Sequence, residues 1–259
     1  SLTSFCINSK IMLDSLLLLS GNDIPFVKAN LTIHNPTLKE IGYVGEENFL
    51  NGYQLLNVSK NFLPEQDKVN LDVISNFDIL IAILRERNAV MQKNRSCVFM
   101  VLALLFPSYA KNKKKNSIAF KKEGTEEQTF INKENFDDFQ KILKQMFSFG
   151  SGEQESDFNP SGQLAKKIAE RLKKRHEKLA KLDKESTKVD IYSRYASVLS
   201  IGLCQNLEDI LNYTPYQLFD QIERYHLKQD YDIYLQAKMA GAKDMKDPED
   251  WMRDVHPTS

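Results

Sequence analysis

"NYTPYQLFDQIERYHLKQDYDIYLQAKMAGAK", residues 212–243, decides the fold. Thr214 and Gln217 stand at capping-box spacing, and Pro215 occupies the first helical position, where a missing N–H has no partner to lose. No glycine or proline follows until Gly241, so the stretch predicts one long helix. At 3.6 residues per turn, Leu218, Phe219, Ile222, Tyr225, Ile233 and Ala237 point broadly one way, while Tyr216, Leu227, Tyr231, Tyr234 and Leu235 point roughly the other. Two explanations compete for the second face. Either the helix is sandwiched inside a bundle with tyrosine hydroxyls at the rim, or that face docks a partner, where tyrosine buries large area with little rotamer entropy to lose. The docking candidates are Tyr216, Leu227, Tyr231 and Tyr234. Trp251, the only tryptophan, joins them from a last short helix expected to open at "DPEDWM", residues 247–252.

The surrounding C-terminal sequence is helical throughout. "DIYSRYASVLSIGL" (190–203) and "NLEDILNY" (206–213) read as two further helices, and "LAKKIAERLKKRHEKLAKL" (164–182) as an amphipathic one. Lys166, Lys167, Arg171, Lys174, Arg175 and Lys178 on that helix are candidate phosphate contacts. The apolar stripe Leu164, Ile168, Leu172, Leu179 and Leu182, with Glu170 and Glu177 placed to pair with Lys174 and Lys181, reads equally as a solvated amphipathic helix. That second reading is preferred.

The first half mixes strand and helix signals. "IPFVKANLTIH" (24–34) carries one or two short strands, and "NPTLKEIGYVGEENFLNGYQLLNVSKNFLP" (35–64) a helix opened by a Thr37/Glu40 capping box and stopping near Pro64. Gly42, Gly45 and Gly52 within it call for close packing or a break. Two helices follow at 71–88 and 89–107, the second apolar enough at its end to be central. "KNKKKN" (111–116) reads as a basic loop, "SIAFKKEGTEEQTFI" (117–131) as a hairpin, and "NKENFDDFQKILKQMF" (132–147) as a helix with Asn132 at its N-cap. "FGSGEQESDFNPSG" (149–162) concentrates Gly, Ser, Asn and acids, which marks a linker. The predicted class is therefore mainly α: an α+β domain over 1–148 with a few short strands and a hairpin, a linker at 149–162, and an all-α helical domain over 163–259.

Composition narrows the function. With 35 basic and 35 acidic residues the net charge is +0, so no global field steers the chain to nucleic acid or an anionic membrane. Three scattered cysteines, Cys6, Cys97 and Cys204, fit a reducing compartment. "IMLDSLLLL" (11–19) is split by Asp14 and reads as buried structure, and "CVFMVLALLF" (97–106) is about half the length a bilayer crossing needs. Nucleotide-binding, zinc-protease and hydrolase motifs are missing. His34, His176, His226 and His256 stand alone in sequence, and Glu46-Glu47 and Asp137-Asp138 are helix neighbours that diverge. The expectation is a non-enzymatic protein with no metal and no cofactor.

Two stretches, "LTIHNPTLKEIGYVGEENFLNGYQLL" (31–56) and "TPYQLFDQIERYHLKQDYDIYLQAKMAGAKD" (214–244), resemble proteins from the structural gene modules of tailed bacteriophages of low-GC Gram-positive hosts. The similar proteins are encoded between tail tube and tape-measure genes and are often assigned as tail assembly chaperones. The resemblance implies a protein of the host cytoplasm that holds the tape-measure protein while tail tube subunits polymerise, with self-association as a further contact. A tail or baseplate component retained in the virion is the alternative, and nucleic-acid binding through residues 164–182 a second one.

Overall fold

The computed structural model describes residues 13–59, 74–85, 89–114, 117–122, 128–147, 191–203, 205–242, 247–250, 252–253 and 255. The fold is mostly helical, with short strands in two small sheets in the N-terminal half and helices after them. Two compact units divide the chain. The first is Ser1–Ser148 with Leu211–Gln217, and the second Phe149–Ile210 with Leu218–Ser259. The expected linker, 149–162, and the basic helix, 164–182, lie outside the described residues.

In the first unit, α1 (Ser15–Leu19) starts where Asp14 accepts hydrogen bonds from the Leu16 and Leu17 N–H groups. Asp14 thus caps the apolar run that it splits. Only Leu18 of that helix is buried, and Leu16 is exposed, so the run is less interior than its composition implies. Strands β1 (Ile24–Phe26) and β2 (Leu31–Ile33) form an antiparallel hairpin, pairing Ile24 with Ile33 and Phe26 with Leu31. These four side chains are buried, whereas Pro25 and Thr32 face outward, the period-2 pattern of a one-sided hairpin. A 3-10 turn, Val27–Ala29, and Asn30 in the left-handed region (φ 50°) close it.

The capping box at Thr37 and Glu40 forms and opens α2 (Leu38–Val44). The helix expected to continue to Pro64 instead breaks at Gly45, whose φ of 89° lies outside helical geometry, and α3 (Glu46–Leu56) starts at once. Gly52 serves the other purpose that glycines have in helices. A Cβ there would lie 2.5 Å from the Cys97 carbonyl oxygen and 2.6 Å from Val101 Cγ2, so α3 crosses α5 (Ala89–Leu105) in near backbone contact. Along α5, Cys97, Val98, Val101, Leu102 and Leu105 are buried at helical spacing, with α4 (Asn76–Arg85) packed beside it.

The second sheet has the order β3-β4-β5, all antiparallel, from Tyr109–Lys114, Ser117–Lys122 and Gln128–Ile131. The basic stretch expected as a loop is therefore largely strand: Lys111 pairs with Phe120 and Lys113 with Ile118. Strand propensity alone opposes this, but the apolar β4 needs a partner on each edge. Ile118, Ala119 and Phe120 are all buried, as a central strand covered on both faces requires. Helix α6 (Phe136–Phe147) begins four residues after Asn132, which was expected as its N-cap. Asn132 instead makes a turn, its side chain accepting from the Glu134 N–H, while the Asn135 side chain ties the turn to the Phe130 carbonyl.

Phenylalanines join these pieces. The Phe139 ring lies 6.0 Å from Phe26 of the hairpin and 6.0 Å from Phe106 at the end of α5, and Phe106 lies 4.6 Å from Phe120 of the sheet. Phe77 meets Phe136 at 5.2 Å, and Phe49 meets Phe147 at 5.3 Å. Polar ties back them up. Gln140 donates to the Leu56 and Val58 carbonyls, both at 2.9 Å, satisfying the end of α3, and accepts from Asn76 at 3.1 Å. Asp138 holds Lys28 of the hairpin turn and, at 3.1 Å, Lys141. The segment Leu211–Gln217 completes this unit: the Tyr213 carbonyl accepts from the Leu38 N–H at 2.8 Å, and Gln217 donates to the Leu19 carbonyl at 2.7 Å.

The second unit contains α7 (Ile191–Leu203) and most of α8 (Leu207–Leu211) and α9 (Pro215–Met239). Tyr192 and Tyr195 of α7 clasp the Phe219 ring at 6.2 and 5.6 Å. Residues 247–250 are not helical, which corrects the short helix expected there, and Trp251 lies outside the described residues.

Two outcomes test this packing. Gly52→Ala places a methyl group against backbone that cannot swing aside, so it should lower stability by roughly 1–3 kcal/mol, read as a fall in the thermal midpoint. For Asp138, burial pushes the carboxyl pKa up, but the hydrogen bonds from Lys28 and Lys141 outweigh it and leave it below the ordinary range. A depressed folded pKa means that its stabilisation is present above about pH 4 and is lost as pH falls further. Asp138→Asn should therefore flatten the acid limb of a stability-against-pH curve while the limb above pH 7 keeps its shape.

Candidate functional site

Helix α9 forms as its sequence predicts. The Thr214 N–H donates to Gln217 Oε1 at 2.8 Å, and the Gln217 N–H approaches Thr214 Oγ1 at 3.4 Å, closing the capping box. Leu218, Phe219 and Ile222 are buried on one face with Ala237 further along. Asp220 is buried as well, its charge met by Arg224 Nε at 3.0 Å.

The tyrosines read either as bundle interior or as a docking face do not share one open face. Tyr216 and Tyr234 are buried at 6% and 8% exposure, and Leu227 and Tyr231 are half-buried. Tyr234 is committed to its own unit: its hydroxyl bonds Asp247, and Lys238 reaches back to it with the ammonium 4.8 Å from the ring centroid. Hydrogen bonding to Tyr234 raises the Lys238 pKa above the ordinary lysine value. Arg224 donates to the Arg253 carbonyl at 3.2 Å, and Arg253 pairs with Glu249, so Asp247 and Arg253 are each strapped back to α9. The candidate phosphate contacts Lys166, Lys167, Arg171, Lys174, Arg175 and Lys178, like Trp251, lie outside the described residues.

Apolar exposure sits elsewhere on the same helices. On α7, Tyr192, Ala196 and Leu199 are buried one turn apart, and Val198 and Ile201 fall on the opposite side, Ile201 at 80% exposure. Leu203, Leu207, Leu235 and Met239 are exposed too, Met239 at 88%. Sequence reasoning missed Val198 and Ile201, although Ser193, Arg194, Ser197 and Ser200 interrupt the apolar residues of 190–203. Plotting Val198 and Ile201 against the 192/196/199 stripe would have separated them. Gly202 lets the Tyr225 ring close in: a Cβ would sit 2.4 Å from Tyr225 Cζ.

Elsewhere, groups that could do chemistry are engaged with one another. His34, isolated in sequence, has Nδ1 2.8 Å from Asp23 Oδ1 and Nε2 3.1 Å from Glu40 Oε1. Burial pushes the Glu40 pKa up, but bonds from the Thr37 N–H, the Thr37 hydroxyl and His34 bring it below the ordinary value. Glu47 pairs with Lys93 at 3.2 Å. The Cys97 thiol is buried, and burial pushes its pKa up, away from thiolate chemistry. Among the described residues no group of three or more His, Cys, Asp or Glu gathers as metal ligands, and no helix is long and apolar enough to cross a membrane.

The exposed apolar side chains coincide with a sequence relationship. Residues 197–256 match the family model described as the YomV second domain. YomV is a protein of a Bacillus phage region, and the match relates residues 197–256 to its second domain. No curated protein and no solved structure matches the chain. The YomV-matching segment takes in the end of α7, all of α8 and α9, and the strapped residues Asp247 and Arg253. It also contains Val198, Ile201, Leu203, Leu207, Leu235 and Met239.

Tyr234→Phe removes the hydroxyl on which the strap depends. A single net hydrogen bond is worth about 1 kcal/mol, so amide exchange at Arg253 should quicken about fivefold while exchange within α7 stays unchanged.

Proposed function

We propose that this chain is a non-enzymatic phage tail assembly protein of the host cytoplasm, a chaperone that holds the tape-measure protein and meets the tail tube protein through its C-terminal helices. The observation that carries the proposal is the set of exposed apolar side chains on the helices of the YomV-matching segment, led by Ile201 and Met239. Side chains of this kind in water leave favourable burial unused, at about 25 cal/mol per Å² of apolar surface. A partner that covers them supplies that burial, and a tape-measure protein with its own apolar helices has the matching chemistry. The match of residues 197–256 to a phage-region protein supports the reading, and the resemblance of 31–56 and 214–244 to tail-module proteins points the same way. The tyrosines Tyr216 and Tyr234 act in this reading as scaffold, holding α9 in place, and the exposed apolar side chains do the contacting.

The test pairs Val198→Asp with Ile201→Asp. Both positions are exposed, so the thermal midpoint should move little, within the roughly 0.5 kcal/mol typical of surface changes. Co-purification with the cognate tape-measure or tail tube protein should fall at least about tenfold, as the loss of interface anchors does. Unchanged capture would remove the face from the interface. Mass spectrometry of purified particles is the second arm: stoichiometric presence of the chain would replace the chaperone with a virion component.

A further inference from the structure

Helix α9 ends in a reversal. Gly241 sits at φ 85°, the Ala242 N–H bonds the Ala237 carbonyl and the Gly241 N–H the Lys238 carbonyl, each at 3.0 Å, the paired closure of a Schellman turn. Beyond it the chain returns to α9 at two anchors. The Tyr234 hydroxyl holds the Asp247 carboxylate, and Arg224, nearer the start of the helix, holds the Arg253 carbonyl. The later anchor in the chain meets the earlier turn of α9, so the returning strap is antiparallel to the helix.

Both anchors lie on one stripe. Arg224, Leu227, Tyr231, Tyr234 and Lys238 recur at intervals of three and four residues, which is one face of a helix. Leu227 and Tyr231, between the anchors, are half-buried, and so is Pro248 beside Asp247. Arg224 and Tyr234 are about 15 Å apart along the helix axis, and the six residues from Asp247 to Arg253 reach about 20 Å fully extended. The strap therefore has little slack with which to leave this face.

Its hold is polar and slight. Tyr234 and Arg224 on α9 supply the donors, with Lys238 donating to the Tyr234 hydroxyl behind them, and the strap supplies the acceptors. Its composition suits that role, since "DPEDWMRD" (247–254) carries four carboxylates against one guanidinium. Glu249 and Asp250 stay exposed, and Met252 is 68% exposed. A segment tied by few hydrogen bonds and little apolar burial opens locally at far lower cost than global unfolding.

We propose that the strap is a latch over a docking stripe on α9, and that an acidic segment of a partner protein takes its place. Open, the stripe presents Leu227, Tyr231 and Tyr234 at i, i+4 and i+7, the spacing of helix anchors in recognition, with the cations of Arg224 and Lys238 at its two ends. The chemistry of the displacing segment is that of the present occupant: carboxylates around an apolar centre. The latch belongs to α9 and its own strap and does not depend on Val198 or Ile201.

A chemical-shift titration of the full chain with a peptide of residues 244–256, up to millimolar concentration, tests the proposal. The apparent affinity is the intrinsic one reduced by the fraction of chains whose latch is open, so loosening the latch should tighten peptide binding. Gly241→Ala puts a Cβ on a left-handed residue that has nothing within 4 Å, and Asp247→Ala removes an anchor; both positions are exposed. Each variant should bind the peptide roughly three- to tenfold more tightly than the unaltered chain, as the loss of about one hydrogen bond implies, with the thermal midpoint little changed. A peptide carrying Asp247→Ala should bind several-fold more weakly. Ile201→Asp should leave peptide binding as it is, which separates this test from that of the contact on α7. No binding by any form, equal binding by the unaltered chain and both variants, or binding lost with Ile201→Asp would each overturn the latch.

Discussion

The first unit depends on Phe139 and its contacts. From α6 its ring reaches Phe26 in the hairpin and Phe106 at the end of α5, and through Phe106 the contact passes to Phe120 in the sheet. Each of these rings is fully buried or nearly so. Aromatic rings bury large areas apiece and hold their neighbours at defined angles, so a few of them can seat two small sheets that would be marginal alone. A three-residue strand such as β1 has little hydrogen bonding to sustain it. What keeps it is Ile24 and Phe26 pressed into an interior that α6 closes.

Around that cluster the polar groups are used as joints. Gln140 takes up carbonyls that α3 leaves unsatisfied, Asp138 anchors the hairpin turn through Lys28, and Gln217 caps α9 while reaching Leu19. Each of these side chains serves a backbone or an ion pair from another element, which makes the arrangement of elements specific in a way that apolar contact alone does not.

Much of the fold is legible in the sequence where local chemistry decides the outcome. The capping boxes at Thr37 and Thr214, the one-sided hairpin and the length of α9 all follow from side chains within four residues of one another. The misses share a cause. Strand β3 has a lysine-rich sequence and exists because β4 needs a neighbour, the break at Gly45 depends on how α2 and α3 pack, and Asn132 yields the start of α6 to a turn organised by Asn135. The candidate site fared similarly. Helical period put Tyr216 and Tyr234 on a face that reads either as bundle interior or as a docking surface; both are buried, and the partner of Tyr234, Asp247, lies thirteen residues away beyond the end of the helix. Val198 and Ile201 were overlooked because the tyrosines of α9 drew the search for a docking surface, although Ser193, Arg194, Ser197 and Ser200 give α7 its own polar contrast.

The return of residues Leu211–Gln217 to the first unit has a genetic meaning. Chains that exchange parts by recombination do so most easily when each folding unit is one uninterrupted stretch. Here a single crossover after residue 148 would hand the incoming C-terminal half the duty of supplying Tyr213 for α2 and Gln217 for α1. A foreign sequence would succeed only if it presented a carbonyl and an amide at those same two places.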